Sequence, residues 1–185
     1  IAFVLQNLGT TNQGAGGGGI GYLGMAAPNF AVEFDTYDNG PGAGDIPCDH
    51  TQIVLNGNAT TNLGPAVQAS AANCNIEDGI NHTVRIVWDP ATNNLQVFFD
   101  GVIRHNVTYN ITNNIFGGNP EVYWGFTAAT GGSNNNQSVC MPAVPPVVYG
   151  TPVANPATNV SCTTFQANWT NAAGAQEYIL EVSTN

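Results

Sequence analysis

The sequence predicts an all-β protein built from antiparallel strands. Apolar and polar residues alternate along several short segments, most clearly within 79–89 and 95–100, and this period of two is typical of strands. The pairs Asn56-Gly57 and Asp100-Gly101 follow such segments and favour tight turns between neighbouring strands. Only 8% of the residues are charged and 43% are hydrophobic, so Gly, Asn and Thr supply much of the remainder, as in β-rich globular proteins.

Each expected strand is a short alternating segment bounded by turn residues. The first, at 1–6, leads into a glycine-rich loop at 14–24, where backbone N–H groups can approach a ligand closely. Residues 58–73 are polar and are predicted to be irregular. His82 and His105 are predicted to be isolated structural or surface histidines, because neither is surrounded by other donors in the sequence. The further expected strands lie at 30–35, 52–56, 79–89, 95–100, 103 onwards and 121–127.

The charge balance argues against two classes of partner. The net charge is −10, and the chain has two basic side chains, Arg85 and Arg104, and no Lys. Nucleic acids and anionic membrane surfaces select basic faces, so we expect neither as a partner. No apolar run approaches the roughly 18 residues that span a bilayer, so direct membrane insertion is not expected.

Acidic residues are concentrated around one strand and the loop after it. On the strand, Phe30, Val32 and Phe34 alternate with Glu33, Asp35 and Tyr37, so one face is expected to join the core and the other to carry two carboxylates. Five of the 12 acidic residues fall within 17 positions. They are Glu33, Asp35, Asp38, Asp45 and Asp49.

Crowded carboxylates repel one another unless a cation neutralises them, and basic side chains are scarce here. A bound divalent metal is therefore predicted. Oxygen ligands favour Ca²⁺, and an imidazole beside carboxylates favours a transition ion such as Mn²⁺. Two adjacent ions could share Asp35 and Asp45, one ion with Glu33 and His50, the other with Asn39 and the Tyr37 carbonyl. The alternative is an ordinary acidic surface loop.

Four cysteines in a chain with few charges favour an oxidising compartment outside the cytoplasm, so a secreted or cell-surface location is expected. We predict a Cys48–Cys74 disulfide, because it would staple the loop that carries Asp45 and His50. Cys140 and Cys162 would then be free or paired with each other. A thiolate zinc site is not expected, because no two cysteines have the short spacing that such sites use.

The motif Glu33-Phe34-Asp35-Thr36-Tyr37-x-Asn39, followed by Asp45 and His50, resembles the metal-binding signature of the legume-type (L-type) lectins, including bacterial members. The gap between Asn39 and Asp45 is one residue longer than is usual in the plant proteins. The segment 121–133 resembles the family's strand that ends in Gly-Phe-Ser-Ala-Ala-Thr-Gly. Gly21-Tyr22-Leu23-Gly24 resembles the glycine segment whose backbone meets the sugar.

This resemblance covers residues 1–141 and implies a jelly-roll sandwich of two antiparallel sheets that lacks its N-terminal strands. It implies calcium-dependent, or Ca/Mn-dependent, carbohydrate binding without enzymatic chemistry, in a secreted or cell-surface adhesin of the bacterial variety whose partners are glycans. Many non-plant members keep calcium alone. The implied sugar-binding residues are Gly21, Tyr37, Asn39, Thr130, Gly131, Gly132 and Ser133, and the amides of 134–136 could add contacts.

The composition shifts after Met141. Prolines mark a linker at 142–156. Residues 157–185, with Asn168-Trp169 and Tyr178-x-Leu180-x-Val182, resemble the opening strands of a fibronectin type III module, of which only a part is present. Because 1–6 reads as the middle of a strand, we expect this chain to be part of a longer multi-domain protein.

Two other functions fit parts of the pattern. Glu33-x-Asp35-x-x-Asp38 is superficially near the Glu-x-Asp-x-x-Glu motif of laminarinase-type glycoside hydrolases, in which two carboxylates act as nucleophile and acid/base. Here the second Glu is replaced by the shorter Asp38, and Asn39, Asp45 and His50 would have no role. A metal-stabilised structural stalk domain of a surface filament is the other alternative.

Overall fold

The computed structural model describes residues 1–141, 152–161 and 163–170. The chain divides into two compact units, Ile1–Ser138 and Val139–Asn185. Within the first unit, the longer segments of alternating sequence form strands, and all the strand pairs are antiparallel.

The first unit contains two sheets. The strands of the larger sheet are β1 Ala2–Gln6, β2 Asn29–Asp35, β3 His50–Leu55, β4 Asn58–Asn62, β5 Val67–Gln68 and β9 Tyr123–Thr127. Those of the smaller sheet are β6 Val84–Asp89, β7 Asn94–Phe99 and β8 Val102–Thr108. The larger sheet has the strand order β4-β3-β2-β1-β9, and β5 also pairs with β3. The smaller sheet has the order β6-β7-β8 and is followed by one short helix, α1, at Ile111–Asn114.

The main core lies between the two sheets. Phe30, Val32 and Phe34 project from β2 toward the apolar side chains of β7, and the rings of Phe34 and Phe99 lie 5.9 Å apart. Burial of these side chains is the main force that holds the sheets together. The predicted all-β fold, an antiparallel sandwich of the lectin jelly-roll type, is confirmed.

A second apolar cluster covers the outer face of the larger sheet. Tyr22, near the end of the glycine-rich loop, and Met25, directly after that loop, pack on Val4, Ala31 and Val54, and Tyr22 is only 1% exposed. All seven residues of β2 are consequently buried. The carboxylates on this face of β2 are therefore held under a loop and removed from water.

Two predictions for this unit are wrong. Residues 58–73 contain β4 and β5, and β4 shows no alternation because most of its side chains are exposed, so its polar sequence conceals a strand held by backbone pairing. His82 is not isolated, since its ring nitrogens lie 2.7 Å from Asp100 Oδ2 and 3.1 Å from Asp78 Oδ1. These hydrogen bonds, the one with Asp100 above all, raise the pKa of His82.

His105 is structural, as predicted. It is buried, and its Nε2 lies 3.1 Å from the Thr51 carbonyl oxygen. Burial lowers the pKa of its imidazole.

In the second unit, β10 (Val153–Thr158) pairs with β11 (Gln166–Thr170) as an antiparallel hairpin that includes Trp169. β10 begins inside the range predicted as a linker. Residues 142–151, Cys162 and 171–185, including Tyr178, lie outside the described residues. The fibronectin type III-like module therefore stays a prediction.

Replacing Gly57 by Ala should destabilise the fold more than replacing Gly101 by Ala. Both glycines themselves have positive φ, +61° at Gly57 and +77° at Gly101, so both variants carry backbone strain. A Cβ at Gly57 would lie 2.7 Å from the Met25 carbonyl oxygen, whereas one at Gly101 meets nothing within 4 Å. We expect Gly57→Ala to lose roughly 1–3 kcal/mol more free energy of unfolding, measured with urea. Equal losses in the two variants would contradict the packing of the 22–25 segment on this turn.

Candidate metal centre and adjoining pocket

Antiparallel pairing of β2 and β3 creates the centre of the site. The register places Asp35 opposite His50, and the loop between these strands returns Asp45 to the same point. One ligand atom from each of Asp35, Asp45 and His50 lies within 4.8 Å of the others. Two carboxylates and an imidazole at this separation can share one divalent cation.

The orientation of His50 suits a metal ligand. Its Nε2 lies 3.6 Å from Asp45 Oδ1 and 4.0 Å from Glu33 Oε1. Its Nδ1 lies 3.3 Å from the Cys48 carbonyl oxygen, which can accept a hydrogen bond when Nδ1 carries the proton. In that tautomer, the lone pair of Nε2 faces the carboxylates, an arrangement common around protein-bound metals.

The other predicted ligands converge on Asp45 from the outer side. The Asn39 backbone N–H donates to Asp45 Oδ2 at 2.7 Å, and Asn39 Nδ2 lies 3.2 Å from the same oxygen. Asn39 Nδ2 is also 3.4 Å from the Tyr37 carbonyl oxygen, and the Tyr37 N–H donates to Asp35 Oδ1 at 2.9 Å. The structure thus brings together all six residues predicted to hold metal.

Burial makes the carboxylates costly to ionise. Desolvation raises the pKa of Glu33 and of Asp35, although Glu33 accepts a hydrogen bond from the buried Tyr22 hydroxyl and Asp35 accepts one from Tyr37. Burial, together with the neighbouring Glu33, raises the pKa of the Tyr22 hydroxyl. A divalent cation would offset this cost, so the donor set fits a metal ion both chemically and electrostatically.

A disulfide and two hydrogen bonds of Asp49 restrain the loop that carries Asp45. The predicted Cys48–Cys74 disulfide is present. Asp49, one of the five clustered acidic residues, accepts from the Ile76 N–H at 2.7 Å and donates its own N–H to the Cys74 carbonyl at 2.9 Å. Asp49 therefore restrains the loop and is not one of the converging candidate metal ligands. Cys140 is an exposed free cysteine.

The three converging side chains Asp35, Asp45 and His50 are called the metal cluster below. A pocket of about 320 Å³ adjoins this cluster. Asp35, Tyr37 and Asn39 form one side, with the Tyr37 side chain 56% exposed. The loop after β9 forms another side. Its lining residues there include Gly131, Gly132, Ser133, Asn134 and Asn135. Carbonyl, amide and hydroxyl groups beside an exposed ring form a surface suited to a polyhydroxylated ligand.

Two predicted sugar-binding residues are not among those lining the pocket, namely Gly21 and Thr130. The Gly21 N–H donates to the Ala15 carbonyl at 2.9 Å, and a Cβ at Gly21 would meet Thr127 at 3.1 Å, so this glycine serves packing within its loop. Gly17 and Gly18 line the pocket instead, and a Cβ at Gly18 would lie 3.2 Å from Asn39 Oδ1. The composition identified the glycine-rich loop but could not indicate which of its glycines line the pocket.

Sequence reasoning also missed two contributors, Tyr22 and Glu77. The Tyr22 hydroxyl donates a hydrogen bond to the Glu33 carboxylate. Glu77, in the segment after Cys74, lines the pocket. Asn135 donates to Glu77, and its Nδ2 lies 3.2 Å from Thr36 Oγ1, so it joins two walls of the pocket. Only the disulfide prediction hinted that the segment around residue 74 lies near this loop.

The hydrolase alternative gains no support from this geometry. Asp38, the second carboxylate that a hydrolase would need, is exposed, accepts from the Gly40 N–H at 2.7 Å and is not among the residues lining the pocket.

Within the described residues, no helix is both long and apolar enough to cross a membrane.

Replacing Glu33 by Gln should stabilise the protein at neutral pH when a chelator removes metal. Burial raises the folded-state pKa of Glu33 above its ordinary value of 4.5, so the stability of the protonated form is fully present below that value and is lost as pH rises through the raised pKa. Gln removes this loss and can still accept from Tyr22. Urea unfolding between pH 4 and 8 in EDTA should show the variant gaining on the wild type with rising pH, by at most about 1.4 kcal/mol per pH unit.

Glu121→Gln is the control for this measurement, because Glu121 is exposed and outside the site. A difference between Glu33→Gln and wild type that does not change with pH would contradict the assigned cost of burying the carboxylate.

Comparison with known families agrees with this geometry. The model of a family described as the legume lectin beta-barrel domain matches residues 1–143 of the 185-residue chain. The match includes both sheets and every residue of the cluster and pocket. This chain therefore belongs to the legume-type lectin domain family, and carbohydrate binding is the activity that this membership implies.

Proposed function

We propose that this chain is a calcium-dependent carbohydrate-binding domain of a secreted or cell-surface adhesin. The observation that carries the proposal is the position of the metal cluster, which adjoins through Asp35 an open pocket lined by amides, backbone groups and an exposed tyrosine ring. The disulfide supports a location in an oxidising compartment.

Two ion positions follow from the donor atoms. The first position has only oxygen ligands, which suit Ca²⁺. They come from the side chains of Asp35, Asp45 and Asn39 and from the Tyr37 carbonyl. Asp35 and Asp45 with Glu33 and His50 offer the mixed set that suits Mn²⁺ or another transition ion. Bound there, an ion supplies positive charge that neutralises the carboxylates and fixes the loop.

The protein groups then bind the sugar. Asn39 directs its amide at hydroxyl groups, while the exposed Tyr37 ring stacks on the apolar face of the pyranose. Gly131 donates its N–H to the Ser133 carbonyl at 3.1 Å and so shapes the loop after β9. No hydrogen bond of the Gly132 N–H is found among the described residues, which leaves this donor for the ligand.

An open site of this size is expected to bind one saccharide weakly. Presentation of several copies on one surface raises the effective concentration of neighbouring sites and strengthens adhesion without new contacts. The predicted fibronectin-like module and the Pro-rich segment would then serve as a spacer in the adhesin.

Asp45→Asn should weaken calcium binding by about tenfold or more, because it removes the negative charge that both ion positions share. Isothermal titration of chelator-treated protein with CaCl₂ measures the change. Asp38→Asn is the matched control from the same loop: it removes the same charge, but Asn can still accept from the Gly40 N–H. If both variants bind calcium as tightly as wild type, the ion does not lie at the proposed position.

Asn39→Ala should abolish binding on a glycan array. EDTA should abolish wild-type binding and calcium should restore it, because the ion holds the loop that presents Asn39. Asn62→Ala, which removes an exposed amide on β4, should bind as wild type does.

The array also separates the alternatives. Calcium that raises the melting temperature without any glycan binding would favour a structural stalk domain. Glycan binding that survives in Asn39→Ala would contradict the assignment of the pocket.

A further inference from the structure

One residue of the pocket differs in character from the rest. Of the side chains that line it, only Asp35 and Glu77 carry a carboxylate, and none is Lys, Arg or His. Asp35 belongs to the metal cluster, so its charge is shared with an ion in the proposed function. Glu77 is exposed, lines the pocket and lies outside that cluster, so its carboxylate is accessible to a ligand in the pocket.

Glu77 is held in place by an arm, the segment 74–77, whose attachments also restrain the site loop. The Cys48–Cys74 disulfide and the bond from the Ile76 N–H to Asp49 tie the segment 74–77 to the site loop. Ile76 packs against the main core, and the Glu77 N–H donates to Asn75 Oδ1 at 2.5 Å.

At the tip of this arm, Asn135 donates to the Glu77 carboxylate, which links the arm to the loop after β9. This contact occupies one carboxylate oxygen and leaves the other available to accept from a ligand.

No basic side chain in the pocket balances this charge. The chain has two arginines and no lysine, and both arginines lie on the smaller sheet, Arg85 on β6 and Arg104 on β8. The guanidinium of Arg85 stacks over the Phe98 ring at 3.8 Å from its centroid. An acidic saccharide would therefore place its carboxylate or sulfate beside Glu77 without a basic side chain as its partner.

We propose that Glu77 determines the charge specificity of the pocket: it accepts from a sugar hydroxyl or ammonium group and selects against acidic saccharides. This inference rests on the proposed function, because it concerns which carbohydrate the same pocket takes. Its ligands are neutral or amine-bearing hexoses and not uronic, sialic or sulfated sugars. Like charges a few ångströms apart in a solvated pocket repel enough to change affinity roughly fivefold.

The test is an array, in calcium, of matched sets that each contain a neutral hexose, its uronic acid, its 2-amino sugar and its N-acetylated form. Wild type should bind the neutral sugar more tightly than the uronic acid. In Glu77→Gln, which keeps the shape and the acceptor for Asn135, the ratio of uronic-acid to neutral binding should rise roughly fivefold. Preference for the free amine over the N-acetyl form should fall by a similar factor.

Glu121→Gln is the matched control, because Glu121 is also exposed, its N–H also donates to an Asn side chain two residues earlier, and it lies outside the pocket. It changes the net charge equally and should leave both ratios unchanged. The effect of Glu77→Gln should also shrink between 50 mM and 500 mM NaCl, since salt screens exposed charges.

The outcomes separate the two proposals. If wild type binds no saccharide in calcium, the proposed function itself is wrong. If it binds neutral sugars and Glu77→Gln changes the ratios no more than Glu121→Gln does, carbohydrate binding stands and the role of Glu77 is overturned.

Discussion

The site depends on how converging carboxylates are neutralised. Glu33, Asp35 and Asp45 meet under a covering loop, where burial raises the pKa of the first two. Among the described residues, the groups that compensate these carboxylates include the Tyr22 hydroxyl, the His50 ring and nearby backbone N–H groups. These groups reduce the repulsion, but three converging carboxylates are best balanced by a doubly charged ion. A polypeptide with so few basic residues therefore leaves a place that a divalent cation fills best.

The rest of the domain serves to hold these oxygens in position. β2 is buried on both faces, so its backbone cannot shift without disturbing either the core between the sheets or the cluster under Tyr22. The loop that returns Asp45 has little core of its own, and the disulfide and Asp49 restrain it instead. The strands set the positions of the candidate metal ligands, while the glycine-rich loop and the loop after β9 form walls of the pocket.

Sequence reasoning succeeded where local chemistry decides the outcome. Alternation located β2 and assigned Glu33 and Asp35 to one face, and the crowding of acidic residues marked the point where Asp35, Asp45 and His50 converge. The same reasoning failed for β4, whose exposed polar side chains carry no periodic signal. It did not single out Gly17 and Gly18, which line the pocket, because the glycines of one loop look alike in sequence and only the folded path decides which of them line it.

By itself, the sequence determined the all-β class and the family resemblance and predicted the metal ligands, because strand period and ligand type are properties of residues that lie close together in the chain. Only the tertiary structure decided that the Tyr22 hydroxyl donates a hydrogen bond to Glu33. It also decided that Gly17, Gly18 and Glu77 line the pocket and that Gly21 does not. These contacts join segments that are separated along the chain. Packing, the disulfide and strand pairing bring them together, and no local pattern of residues encodes the distances involved.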